Sequence, residues 1–133
     1  MTTWMVVEDE PGLYDMVLTM YSLMGVHGVA FTTGEDALDW IDAVDSGQFG
    51  DEIPQLAMLD IRLPGDIDGT KVGARMRQSH ILKKTRVVLM TAYQLSPKEE
   101  ILIKEQAGAD ILLYKPLPNF ETLQKMLFEL ASG

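Results

Sequence analysis

The sequence has no cysteine, and it has no apolar run near the roughly 20 residues that a helix needs to cross a bilayer. Disulfide frameworks and thiolate metal sites are therefore excluded, and the composition suits a reducing compartment. The first four residues show neither the basic region nor the apolar core of a signal peptide. We therefore expect a cytoplasmic location and no association with a membrane.

Basic residues are also scarce. The chain has 11 Lys and Arg against 20 Asp and Glu, which gives a formal net charge of -9. Such a surface repels nucleic acid, so we expect no direct nucleic-acid binding. A chain of 133 residues with 47% hydrophobic residues can bury one complete core but is too short for two ordinary domains. We predict a single domain over residues 1–133.

Five short apolar runs predict the strands of a buried sheet. Four of them are continuous rather than alternating, which is typical of parallel strands covered by helices on both faces. A weaker run is the second in chain order. The five lie at residues 4–7, 26–32, 56–59, 87–90 and 111–114.

Apolar residues at helical spacing predict a helix after each strand. Five β-α units with right-handed crossovers form an α/β fold with a doubly wound parallel sheet. The first and last helices are the clearest, and their periodic residues are expected to face the core. These residues are Leu13, Met16, Val17, Met20 and Met24 in the first helix, and Phe120, Leu123, Leu127 and Leu130 in the last.

The fourth helix has the sharpest boundaries. Ser96, Pro97 and Glu99 combine a capping box with proline at the first helical position, and Gly108 supplies a left-handed stop. Residues 101–103 (Ile-Leu-Ile) are three consecutive apolar positions, which one helix face cannot bury together. We expect two of them to pack in the core and the third to belong to a partner surface. The polar loop at residues 46–53 is expected to carry no chemistry.

Polar side chains stand where four of these strands should end. Glu8 and Asp9 follow the first run, and Asp60, Thr91 and Lys115 follow the third, fourth and fifth runs. In doubly wound sheets the ligand site lies beyond the carboxyl ends of the strands. We therefore expect three carboxylates, a hydroxyl and an ammonium to meet at one edge.

This set of groups fits phosphoryl transfer. Clustered carboxylates repel one another unless a cation neutralises them, and oxygen ligands suit Mg²⁺. Asp60 is the best candidate for a nucleophile toward phosphorus. Thr91 can donate a hydrogen bond to a phosphoryl oxygen, and Lys115 can pair with another.

Five short motifs in order resemble those of response regulator receiver domains. They cover nearly the whole chain, and together they are far more specific than any one of them alone. The resemblance implies a flavodoxin-like three-layer sandwich with sheet order 2-1-3-4-5. The motifs are Val-Val-Glu-Asp-Glu at 6–10, Met-Leu-Asp-Ile-Arg-Leu-Pro at 58–64 followed by Asp68-Gly69, Val-Leu-Met-Thr-Ala at 88–92, Gly-Ala-Asp at 108–110, and Lys-Pro at 115–116.

The resemblance also implies a role for each residue of the site. Asp60 would be the phosphoacceptor, and Asp60 and Asp9 would bind Mg²⁺ directly. Glu8 would act through a metal-bound water, and the backbone carbonyl of Arg62 would complete the protein ligands. Outside this metal set, the residues at positions 91 and 115 would contact the phosphoryl group.

The implied partners are proteins. The phosphoryl group would come from a histidine kinase or a histidine phosphotransfer protein, within a phosphorelay. A downstream protein would bind the face formed by the fourth helix, the fifth strand and the fifth helix. The possibility of a homodimer is left open.

Such a domain catalyses only its own phosphorylation and dephosphorylation. The chain is either a stand-alone regulator or the receiver of a longer protein.

Four positions concern the switch and the phosphate lifetime. The family's switch aromatic normally stands three residues before the lysine, where this chain has Leu112. Tyr114 shares the strand face of Leu112 and is a candidate substitute, as is Tyr93. The resemblance implies that Arg62 and Tyr93 flank the phosphoryl pocket, where the family controls water access, and two bulky residues there predict slow hydrolysis. The segment 64–69 is one residue longer than the common form, which could displace the start of the third helix.

Two other classes of function are left open. A degenerate receiver would act as an unphosphorylated interaction module, for which Leu112 is the main support. An aspartate-nucleophile phosphatase normally has a second acid two residues beyond the nucleophile, and here that position is Arg62. His27 and His80 lack ligand partners at metal-binding spacing and are assigned no function. A flavin-binding domain is disfavoured because the acidic loop after the first strand would repel a phosphate.

Overall fold

The computed structural model describes residues 1–133, which form five strands and five α-helices in strict alternation. All five predicted strands and all five predicted helices are present. Their bounds are β1 Thr3–Val7, α1 Pro11–Leu23, β2 His27–Phe31, α2 Gly34–Asp45, β3 Leu56–Asp60, α3 Gly69–Gln78, β4 Arg86–Thr91, α4 Pro97–Ala107, β5 Ile111–Tyr114 and α5 Phe120–Ser132.

The strands form one parallel sheet in the order β2-β1-β3-β4-β5, which confirms the predicted order 2-1-3-4-5. The sheet separates two hydrophobic cores. One is built with side chains of α2, α3 and α4, and the other with side chains of α1 and α5. Every residue of β1 and β3 is buried, which explains why the central runs are continuous rather than alternating.

The predicted ends of α4 are confirmed. The Ser96 side chain accepts a hydrogen bond from the Glu99 N–H, and the Glu99 carboxylate accepts one from the Ser96 N–H. Gly108 follows the helix with φ of +62°, a left-handed conformation that glycine adopts without a Cβ clash. Local sequence therefore determines both ends of this helix.

Some of the predicted inward faces are wrong. Met16 is 46% exposed and Phe120 is 42% exposed, so neither fills the core. Along residues 101–103, Ile101 and Leu102 are 59% and 50% exposed, and only Ile103 packs against the core. Core packing thus explains one of these three residues rather than two. Consecutive residues point about 100° apart on a helix, so α4 buries one narrow stripe.

The loop before β3 has structure that the sequence pattern did not reveal. It contains a short 3₁₀ turn at Gly50–Glu52, and the ring of Phe49 stacks on Trp40 with centroids 6.0 Å apart. The Glu52 carboxylate lies 2.9 Å from Nε2 of His27, which anchors the turn to the edge strand. This loop therefore packs against Trp40 and His27 through Phe49 and Glu52. None of the helices has the length and apolar character required to span a bilayer.

Candidate functional site

The predicted site residues meet at the carboxyl edge of the sheet. Glu8 and Asp9 directly follow β1, Asp60 and Thr91 end β3 and β4, and Lys115 directly follows β5. Because β1, β3, β4 and β5 are neighbours in register, their ends converge. The alternation of strands and helices thus assembles one site from distant segments.

Lys115 lies between two buried carboxylates. Its Nζ is 2.7 Å from Oε1 of Glu8 and 3.1 Å from Oδ2 of Asp60. Glu8 is 0% exposed and Asp60 is 4% exposed, so both depend on this cation. The other Glu8 oxygen accepts a hydrogen bond from the Glu10 N–H at 3.0 Å. The sequence predicted that Lys115 would meet a phosphoryl group, and the ion pair with Glu8 was not foreseen.

Burial and mutual repulsion separate the pKa values of the two carboxyls. Burial raises the pKa of Asp60 to about 7, and the neighbouring Glu8 contributes in the same direction. Burial also acts to raise the pKa of Glu8, but hydrogen bonds from Lys115 and the Glu10 N–H outweigh it and lower this pKa. Burial opposes the charge of Lys115, yet its two carboxylate partners raise its pKa. One lysine therefore neutralises a mostly ionised Glu8 and a readily protonated Asp60.

Asp9 completes an oxygen-rich cluster. One carboxylate oxygen from each of Glu8, Asp9 and Asp60 lies within 4.8 Å of the others. Unlike its two neighbours, Asp9 is exposed, so one side of the cluster opens to solvent. Oxygen-only donors with room for water match the preference of Mg²⁺, which keeps part of its hydration shell. The residues present therefore fit a magnesium ion.

Thr91 ends β4, and Tyr93 lies in the loop that follows. Thr91 is buried, and its Oγ1 accepts a hydrogen bond from the Tyr93 N–H at 3.1 Å. The Tyr93 ring is half-exposed, and the Arg62 guanidinium carbon lies 4.2 Å from its centroid. Arg62 also donates its backbone N–H to Oδ1 of Asp60 at 3.3 Å. The two loops that flank Asp60 are thus joined by a cation–π contact.

Two of the switch candidates, Leu112 and Tyr114, lie on β5. Leu112 packs against the core that contains α4, on the face where Tyr114 is also expected. Tyr114 pairs in register with Thr91, and its hydroxyl is buried without a hydrogen-bond partner. Burial raises the pKa of the Tyr114 hydroxyl, and the charge of Glu100 in α4 acts in the same direction. The strand alternation predicted that Tyr114 shares the face of Leu112, but it did not predict a buried hydroxyl without a partner.

The motif at residues 108–110 has a structural role. The Asp110 carboxylate accepts a hydrogen bond from the Val87 N–H at 2.8 Å and lies 3.4 Å from Arg77 and 3.3 Å from Arg86. Arg77 in turn donates to the carbonyl oxygen of Gly108. These contacts fix the start of β5 against β4, and so help to place Lys115.

Comparison with known proteins identifies the family to which this chain belongs. The family model for the response regulator receiver domain matches residues 4–128. No curated protein shows a significant sequence match. Among solved structures, one similar chain is a putative response regulator from Chloroflexus aurantiacus, which is 25% identical with a TM-score of 0.80; the match covers 99% of this chain and 98% of that one.

Two further structures are informative. One is the receiver domain of a sensor histidine kinase from Pseudomonas aeruginosa, with magnesium coordinated in its active site cleft. It is 20% identical with a TM-score of 0.79, and the match covers 99% of this chain and 98% of that one. The response regulator DrrB of Thermotoga maritima is 28% identical with a TM-score of 0.72, over 96% of this chain and 51% of that one. The shared architecture therefore occurs both in isolated receivers and in part of a longer regulator.

Proposed function

This chain belongs to the response regulator receiver domain family of two-component systems, and we propose that Asp60 accepts a phosphoryl group from a histidine kinase or histidine phosphotransfer protein. One observation carries the proposal. A buried carboxylate at the end of β3 lies 3.1 Å from the ammonium of Lys115 and beside an acidic cluster that fits a divalent cation. We further propose that the protein acts in the cytoplasm, where such donors are found.

The reaction is a displacement at phosphorus. An Oδ atom of Asp60 forms a bond to the phosphorus, the P–N bond of the phosphohistidine breaks, and the imidazole nitrogen retains the bonding electron pair. Lys115 pairs with one phosphoryl oxygen and the Thr91 hydroxyl donates to another, which stabilises the charge that develops there. In hydrolysis, water attacks the phosphorus and the Asp60 carboxylate leaves. The chain thus supplies the nucleophile and the positioning groups.

Asp9 and Asp60 would hold Mg²⁺ directly, Glu8 would reach it through a water molecule, and the Arg62 carbonyl would complete the protein ligands. When bound, the ion supplies positive charge that favours ionised Asp60 and offsets charge on the transferring oxygens. The pKa of Asp60 near 7 supports this assignment, because without a second cation only part of the nucleophile is ionised at neutral pH.

We propose that Tyr114, rather than Leu112, transmits the phosphorylated state to α4. The Thr91 oxygen accepts from the Tyr93 N–H, so its hydroxyl hydrogen can turn toward a phosphoryl oxygen without breaking that bond. Tyr114 neighbours Thr91 and carries a hydroxyl with no partner, so a small shift can give it a hydrogen bond that the resting protein lacks. If Tyr114→Ala and Tyr93→Ala both leave phosphorylation-dependent partner binding unchanged, neither aromatic belongs to the switch.

The downstream partner would bind the face formed by α4, β5 and α5. Ile101 and Leu102 of α4 are exposed on the helix next to Tyr114, and the core does not need them. This surface would serve a downstream protein or a second copy of the chain. Measuring the oligomeric state with and without a phosphoryl analogue separates these two occupants.

The two alternative functions make distinct predictions. An unphosphorylated module would keep its partner binding in an Asp60→Asn variant. A phosphatase would need an acid near the leaving group, but the position two residues beyond Asp60 is Arg62, whose guanidinium is stacked on Tyr93.

One experiment tests the proposed function. The protein is incubated with a small phosphodonor, with and without Mg²⁺, and the intact mass is measured for wild type, Asp60→Asn and the control Asp15→Asn. We expect one Mg²⁺-dependent phosphoryl adduct in wild type and the control, and none in Asp60→Asn. No adduct in wild type would favour the unphosphorylated module, and continuous release of phosphate from varied esters would favour the phosphatase.

A further inference from the structure

The loop between Asp60 and α3 is held at its tip by two helices. The backbone N–H of Asp66 donates to Oε2 of Glu35, in the first turn of α2, at 3.0 Å. The carbonyl oxygen of Asp66 accepts a hydrogen bond from Nζ of Lys71, in the first turn of α3, at 2.8 Å. One peptide segment is therefore tied in two directions by side chains of opposite charge.

The fit of the loop against α2 is close. Gly65 has φ of +81°, and a Cβ at this position would lie 2.5 Å from Oε2 of Glu35. A Cβ at Gly34 would clash with the carbonyl oxygen of Ile67. Two glycines thus let the loop backbone approach the first turn of α2, where Glu35 meets the Asp66 N–H.

The base of the same loop carries the proposed metal ligand. Gly69 N–H donates to the carbonyl oxygen of Ile61 at 3.0 Å, and Ile61 N–H donates to the carbonyl oxygen of Met90. Arg62 lies between Ile61 and Leu63, and these two neighbours pack against the core. The tip, in contrast, is exposed at residues 64–66. The hydrogen bonds of Asp66 with Glu35 and Lys71 are the only polar contacts that restrain this outer part of the loop.

We propose that Glu35 and Lys71 are positioning residues for magnesium, because they hold the loop in the conformation that presents the Arg62 carbonyl to the metal. This inference rests on the proposed function, in which that carbonyl is a ligand. Neither side chain touches the acidic cluster. Both act through the backbone of Asp66 and the loop that continues from it to Arg62.

The charges of the two residues make the inference testable. If they influenced Mg²⁺ only through long-range electrostatics, removing the Glu35 carboxylate would weaken binding and removing the Lys71 ammonium would strengthen it. If they act by holding the loop through their hydrogen bonds to Asp66, Glu35→Ala and Lys71→Met both weaken Mg²⁺ binding. From the usual net value of one hydrogen bond, we expect each change to raise the Mg²⁺ Kd about threefold.

The experiment is calorimetric titration of the full chain with Mg²⁺, with hydrogen exchange of the Asp66 amide measured in the metal-free protein. Glu35→Gln keeps an acceptor and Lys71→Arg keeps a donor, so both should retain a Kd within about twofold of wild type. We expect faster Asp66 exchange in Glu35→Ala, and unchanged thermal melting would confirm that the variants fold.

The possible outcomes separate the proposed function from the positioning role of Glu35 and Lys71. Absence of Mg²⁺ binding in wild type would overturn the proposed function and this inference together. Binding in wild type that is unchanged in both Glu35→Ala and Lys71→Met would overturn the inference alone. A tighter Kd in Lys71→Met with a weaker one in Glu35→Ala would also overturn it, because that pattern is electrostatic.

Discussion

The guanidinium of Arg62 lies over the ring of Tyr93, 4.2 Å from its centroid, and joins the two loops on either side of Asp60. Cation–π contacts of this kind contribute about 0.5 to 1 kcal/mol at exposed sites. The contact therefore favours one arrangement of these two bulky residues beside Asp60.

We predict that opening this contact accelerates dephosphorylation. In an Arg62→Asn, Tyr93→Ala double variant, water gains access to the phosphorus, and we expect the phosphoryl group to be lost several-fold faster than in the parent. The decay of the phosphorylated mass over time measures this rate. A Lys83→Asn variant removes a cation outside the site as the control, and longer retention of the phosphate in the double variant would contradict the prediction.

Removal of Lys115 should destabilise the metal-free protein. Lys115→Met leaves Glu8 fully buried without its cation, and breaking a buried pair in this way typically costs about 3 kcal/mol. Urea unfolding with a chelator present measures the loss. Lys125→Met removes an exposed lysine from α5 and should change the free energy of unfolding by less than about 0.5 kcal/mol. Equal stabilities of the two variants would show that Glu8 does not depend on Lys115.

The Asp60 carboxyl should make stability depend on pH. Its folded pKa of about 7 exceeds the ordinary value of 3.8, so between these pH values the unfolded chain is ionised while the folded protein holds the proton. Stability is therefore lost as the pH rises through this window. We expect Asp60→Asn to be more stable than wild type by about 2 kcal/mol at pH 8 without metal, with the difference disappearing near pH 4. Asp39→Asn serves as an exposed control, and a constant difference between pH 4 and 8 would refute the assignment.

Two tyrosines with buried hydroxyls should respond differently to loss of the hydroxyl. The Tyr21 hydroxyl donates to the carbonyl oxygen of Met5 at 2.8 Å, whereas the Tyr114 hydroxyl has no partner. We expect Tyr21→Phe to lower the free energy of unfolding by about 1 kcal/mol, and Tyr114→Phe to leave it unchanged or raise it. Chemical denaturation of the two variants in parallel gives the comparison. A loss in Tyr114→Phe equal to that in Tyr21→Phe would mean that the Tyr114 hydroxyl is already paired.

Local features of the sequence predicted the fold well. The strands were predicted within one residue at each end, because continuous apolar runs mark buried parallel strands, and Ser96 and Gly108 mark the ends of α4. The exposure of Met16 was not predictable from spacing alone. It depends on which residues of neighbouring elements cover that part of α1.

The candidate site was predicted as a set of residues rather than as a network. Strand ends placed Asp60 and Lys115 at one edge, because parallel strands end together. The ion pair between Lys115 and Glu8 joins residues 107 positions apart, and the stacking of Arg62 on Tyr93 joins two separate loops. Such pairs depend on side-chain conformations, which a pattern of residue types does not specify.

The geometry of Lys115 has a consequence for the order of events at the site. An ammonium has three N–H donors, and the resting protein uses two of them for Glu8 and Asp60. The third donor can meet an incoming phosphoryl oxygen before either carboxylate is released. Under the proposed function, the lysine can therefore exchange one carboxylate for a phosphoryl oxygen without leaving a buried charge unpaired.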